Sequence, residues 1–156
     1  MKTNQSIFLF SIIIIVQSCT SWEDELTKKR TPYAGNEFRI DGCYSNPNSN
    51  GSCEYLFFYS NGILLWLNDN CDLTSWHQFK PLTPNLRMYW SIFQVEGKII
   101  TRTQWIESNL FTMSTSNRYY QIENDTTLLY TYNNKNFYYH FKKFNSKPDS
   151  TNVFIK

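Results

Sequence analysis

From Phe38 onward the chain is punctuated at short intervals by tight-turn signals, and no helical period intervenes between them. Asn61-Gly62 is the strongest of these signals, because Asn-Gly tolerates the positive φ angles that a two-residue hairpin demands. It sits between Glu54–Tyr59 (EYLFFY) and Ile63–Leu67 (ILLWL). Glu96-Gly97 repeats the arrangement between Arg87–Val95 (RMYWSIFQV) and Lys98–Ile106 (KIITRTQWI). An earlier alternating segment, Phe38–Tyr44, runs into the loop sequence NPNSNGS, Asn46–Ser52. Arg118–Ile122, Thr127–Tyr132 and Phe137–Lys143 follow, separated by Glu123-Asn124-Asp125 and by Asn133–Asn136. Strands joined by such short links pair antiparallel, since a parallel crossover needs a dozen or more residues and usually a helix. An eight-stranded meander leaves two unpaired edges unless it closes on itself. The spacing therefore predicts an all-β fold, an eight-stranded antiparallel up-and-down barrel, with a two-sheet β-sandwich as the alternative.

Composition agrees with strands rather than helices. Aromatic residues make up 18% of the chain, and aromatic and β-branched side chains favour pleated surfaces. A formal charge of +2 with no dense basic face argues against nucleic acid as a partner.

The N-terminus carries a different signal. Lys2 precedes the apolar run Ile7–Val16 (IFLFSIIIIV), which is half the roughly 20 residues a spanning helix requires. A short apolar run behind a positive end reads as a cleaved signal peptide. The segment Val16-Gln17-Ser18-Cys19 that follows resembles the bacterial lipobox. The resemblance implies cleavage before Cys19 and attachment of acyl chains, palmitate among them, to that residue. The membrane then becomes a partner through those chains, each buried CH₂ contributing about 0.8 kcal/mol. The predicted organisation is a signal peptide over residues 1–18, a lipidated tether over 19–36 and a barrel over 37–156. Glu23-Asp24-Glu25 reads equally as a solvated tether or as a surface-export tag of outer-membrane lipoproteins.

Taken together, the lipobox, the Asp41-Gly42-Cys43-Tyr44 segment and the Phe58–Gly62 hairpin (FYSNG) resemble small lipocalin-like lipoproteins of uncharacterised function. Lipocalins carry Gly-x-Trp in the first strand, the Trp closing the barrel floor; here Tyr44 stands in the Trp place. The resemblance implies a cell-envelope barrel and leaves the ligand open.

With Cys19 assigned to lipid, Cys43, Cys53 and Cys71 remain in an oxidising compartment, where one disulfide and one leftover thiol are expected. Cys43–Cys53 is the favoured pairing, as a staple across the NPNSNGS loop, with Cys53–Cys71 close behind. No histidine-cysteine spacing suits zinc, and no metal or other cofactor is expected. Motifs of nucleophilic, zinc-protease or phosphate-loop chemistry are absent from the sequence, which points to a non-catalytic protein. Its aromatic residues are the remaining functional signal. Tyr55, Phe57 and Tyr59 share a strand face, and Trp66, Trp90 and Trp105 lie on later strands. These are the candidate pocket walls for a small apolar or sugar ligand, with Trp76 and His77 on the long connection after Leu67 as a lid. The alternatives are that the aromatics simply fill the barrel, or that the protein inhibits or docks a protein partner through its rim loops.

Overall fold

The computed structural model describes Leu26 and residues 30–72, 87–109, 112–144, 146–152 and 154–155. The expected signal peptide, Cys19, Trp76 and His77 lie outside the described residues. Eight strands close into one antiparallel barrel in sequence order, β8 pairing back onto β1. They are β1 (Gly42–Pro47), β2 (Ser52–Phe58), β3 (Ile63–Asn70), β4 (Trp90–Glu96), β5 (Ile99–Asn109), β6 (Thr112–Asn124), β7 (Thr127–Tyr132) and β8 (Lys135–Lys143). The barrel, and not the sandwich, is the fold.

Turn chemistry sets the register. Gly62 and Gly97 take φ of 83° and 59°, and Asn133-Asn134 take 48° and 59°, the left-handed pair that a tight hairpin requires. Gly62 is also needed for space: a Cβ there would meet the Thr31 carbonyl oxygen at 2.4 Å. Thr31 belongs to a segment that crosses one end of the barrel before β1 begins.

That segment is where the first strand departs from expectation. Strand pairing starts at Gly42, later than Phe38, and continues to Pro47. Phe38 instead turns inward as a plug, 3% exposed, its ring 4.9 Å from those of Phe58 and Tyr33. The backbone before β1 is tied down by Tyr33 N–H to Ser60 O and Arg39 N–H to Asp125 O. Tyr44 completes this floor: its hydroxyl accepts from Arg39 N–H and donates to Asp125 O. Arg39 stacks over Phe141 at 4.1 Å and pairs with Asp41. A fully buried Phe is worth about 1.5–3 kcal/mol, so this aromatic floor is a large share of the core.

The strands bury both faces over half the barrel. Inward-facing Tyr44, Leu56, Phe58, Leu64, Phe93, Ile100, Tyr120, Ile122, Leu128 and Tyr139 form the inner core. Outward-facing Cys43, Tyr55, Phe57, Ile63, Leu65, Trp90 and Ile92 form a second core, packed with Phe144 and Ile155 of the C-terminal tail and with Leu26. The tail lies along the barrel as a strap and adds no strand. Tyr59 donates to Pro148 O, and the Lys147 ammonium donates to Ile40 O and Phe58 O.

The favoured cysteine pairing is corrected. Cys53 and Cys71 are joined, their Cα atoms 4.9 Å apart, and Cys43 is free and buried. Register explains the outcome. Tyr44 lies opposite Leu56 and Pro47 opposite Cys53, so Cys43 and Cys53 sit at opposite ends of the β1–β2 ladder. Asp69 faces Cys53, which puts Cys71 just beyond it.

Candidate functional site

The barrel is filled from the floor to about mid-height, and its other half is a polar cup. Strand alternation carries Asn46, Glu54, Trp66, Arg102, Gln104, Arg118 and Tyr130 inward above the aromatic floor. The β6–β7 ladder stops at Tyr120–Tyr130, short of the ends of both strands, and the strands part there. A cleft of about 610 Å³ opens at this place, walled by Glu54, Gln104, Arg118, Tyr130, Phe137 and Tyr139. The β3–β4 ladder likewise stops at Leu65–Trp90, and a single 3-10 turn, Arg87–Tyr89, fills the gap. A recess of about 210 Å³ lies behind it, between Trp66, Met88, Arg102 and Trp105, and shares Gln104, Ile106 and Arg118 with the main cleft.

Two arginines dominate the electrostatics. Arg102 and Arg118 are direct cross-strand partners on the inner face. Arg102 is 1% exposed; its Nε donates to Ser91 Oγ at 3.1 Å, and Ser91 Oγ in turn donates to Leu64 O. Its Nη1 is buried without an acceptor, as are the Trp66 indole N–H and the Tyr120 hydroxyl. Burial pulls the Arg102 pKa down, and Arg118 adds to the effect. The Tyr120 phenol lies close enough to favour the Arg102 charge, but without hydrogen-bond alignment. Arg118 is only partly buried. Burial works against its charge, but Tyr120, Tyr130 and Glu54 outweigh it and hold its pKa above the ordinary value. The Arg118 guanidinium lies over the Tyr130 ring at 5.6 Å, and that of Arg102 over Trp66 at 5.8 Å.

Among the described residues Glu54 is the single acid on the cup wall, and it accepts a hydrogen bond from the Tyr139 hydroxyl. Burial, with Tyr120 and Glu54 beside it, pushes the Tyr139 phenol far above the usual tyrosine range. No three metal-binding side chains come together among the described residues.

Of the sequence-predicted pocket residues, Trp66 alone among the described ones faces the cup interior. Trp105 borders the recess from the outer side, 5.6 Å beneath the Arg87 guanidinium. Tyr55, Phe57, Tyr59 and Trp90 lie in the outer core under the C-terminal strap. Tyr55 and Phe57 fail to line the cup because β2 carries apolar residues on both faces, and its inner face is Glu54, Leu56 and Phe58. The residues that do build the cup, Arg102 and Arg118 above all, were legible in one respect: each shares its strand face with core residues, Ile100 and Tyr120. His140 lies exposed on the outer face of β8.

No protein-family model, curated protein or solved structure matches the chain.

Proposed function

We propose that the protein is a lipid-anchored binding barrel of the cell envelope that holds a small ligand, apolar-bodied or sugar-like, and does not turn it over. One observation carries the reading. The barrel is closed and solid at one end, while the other holds a cleft of about 610 Å³, within the usual 300–1,000 Å³ of small-molecule sites. Its walls set the rings of Tyr130, Phe137 and Tyr139 among polar side chains, Glu54, Gln104 and Arg118 included, which can hold the body of a ligand and orient its polar groups. Glu54 is engaged by Tyr139, and no second carboxylate or histidine stands on the cup wall among the described residues. The lipobox-like Val16-Gln17-Ser18-Cys19 supports the anchor and an outer-membrane location.

Native mass spectrometry of the protein expressed with its own leader tests the carrier reading. The expected result is a reproducible extra mass that leaves on organic extraction and is absent from a Ser116→Trp variant, whose indole fills the cleft. Bare protein after exposure to envelope extract would refute it. Labelled palmitate should enter the wild-type protein and not Cys19→Ala; equal labelling would refute the anchor.

A further inference from the structure

We infer that the cup is selective for a small organic monoanion, a molecule with a planar apolar or ring-shaped body and one oxyanion head, bound by Arg102 and Arg118. The inference rests on the binding reading above and names the ligand class for that site.

The argument begins with the placement of charge. Like charges directly opposite one another on one face of an antiparallel pair repel. Arg102 and Arg118 occupy such a pair inside the barrel, where repulsion is screened less than at the surface. No carboxylate forms an ion pair with either among the described residues. Glu54 offsets one of the two charges at longer range, and its oxygen is shared with Tyr139. Among the described residues the cup wall therefore carries one positive charge in excess, which matches a monoanion.

Hydrogen-bonding capacity points the same way. Buried donors ordinarily find acceptors, and each orphan calls for an explanation. Here three groups without partners occur together on the inner face: Arg102 Nη1, Trp66 Nε1 and Tyr120 Oη. Arg102 and Trp66 both line the recess, and Tyr120 stands beside Arg102. Two are pure donors and the third can donate, so the shared complement is an acceptor-rich head. A planar guanidinium, whose Nε is already held by Ser91, presents its remaining N–H groups in the fixed fork that carboxylates and sulfonates fit. The ligand body would then extend from the recess into the main cleft, against Tyr130 and Phe137. A neutral sugar or hydrocarbon would bury the two cations without satisfying them.

The test compares two fluorescent probes that differ by one group: anilinonaphthalene sulfonate, and phenylnaphthylamine, the same molecule lacking the sulfonate. Both are titrated into the purified protein at pH 7 and moderate salt. A charge-assisted hydrogen bond is worth about 1.5–3 kcal/mol, so the sulfonate probe is expected to bind roughly 10- to 100-fold tighter, with one site per chain. Arg118→Gln, on the accessible wall, and Arg102→Met should each bring that ratio close to unity while phenylnaphthylamine binding stays unchanged. Ser116→Trp should abolish both.

Equal affinity for the two probes in the wild type would overturn the anion assignment and leave the binding-barrel reading standing. So would a preference that survives both arginine variants. Failure of both probes to bind would overturn both readings. Sulfonate binding that survives Ser116→Trp would place the site elsewhere and overturn the inference.

Discussion

Arg102→Met should make the protein more stable and less able to bind an anion. In the folded protein the guanidinium is 1% exposed and has no ionic partner among the described residues. Burying a charge costs several kcal/mol even after relaxation. Two contacts offset part of that cost. The hydrogen bond to Ser91 Oγ is worth about 1.5–3 kcal/mol because the donor is charged. The Trp66 face, 5.8 Å away and near the limit of the useful range, adds about 0.5 kcal/mol. Repulsion from the facing Arg118 takes back a similar amount. Methionine fills an irregular space of similar length, removes the desolvation cost and leaves Ser91 still donating to Leu64 O. The net expectation is a gain of about 1–3 kcal/mol, in keeping with replacements of buried ionic groups by apolar ones. At about 4 °C per kcal/mol for a domain of this size, Tm should rise by about 4–12 °C. The assay is thermal and urea unfolding in a buffer free of organic anions, with m-values compared to confirm two-state behaviour. A loss of about 1 kcal/mol or more in Arg102→Met would refute the reasoning, since it would mean that the guanidinium is fully satisfied and structural.

Three further outcomes are expected. Gly62→Ala should cost more than Gly51→Ala, by about 1 kcal/mol or more in urea unfolding. Both glycines have positive φ, 83° and 82°, but only at Gly62 would the new Cβ strike backbone, the Thr31 carbonyl. Replacing Cys53 and Cys71 together by serine should cost about 3 kcal/mol, the chain-entropy value for a loop of 18 residues, as read from urea midpoints. Stability should also fall on the alkaline side. Burial raises the Cys43 thiol from 9.0 to about 12, and the Tyr44, Tyr59 and Tyr139 phenols upward from 10.0. The folded state then holds protons that the unfolded chain releases. These groups contribute fully below the unfolded values, and each loses about 1.4 kcal/mol per pH unit above them until its folded pKa is reached. Lys147, lowered by burial, acts in the opposite sense, gaining stability as pH rises toward 10.5. Urea midpoints across pH 8 to 11 should therefore decline, and Cys43→Ala should delay the onset from about pH 9 to about pH 10. A flat profile would refute the assignment.

What the sequence determined by itself was everything that depends on neighbours along the chain. Asn61-Gly62, Glu96-Gly97 and Asn133-Asn134 are local devices, and they set the number and order of strands and, through edge closure, the barrel. What it left open was which side of each strand faces in. In β2 both faces are apolar, Tyr55 and Phe57 on one and Leu56 and Phe58 on the other, so period-two alternation has no contrast to read. Only the C-terminal strap, arriving from some ninety positions away to receive the Tyr59 hydroxyl, makes the outer face a core. The cysteine pairing was likewise a matter of register: β1 runs on to Pro47, which faces Cys53 and leaves Cys43 at the far end of the ladder. Arg102 and Arg118 each alternate in phase with a core residue, but neither strand alone shows that the two arginines face one another. Their opposition across β5 and β6 above an aromatic floor exists only once the barrel closes, and that opposition is what turns a filled scaffold into a charged cup.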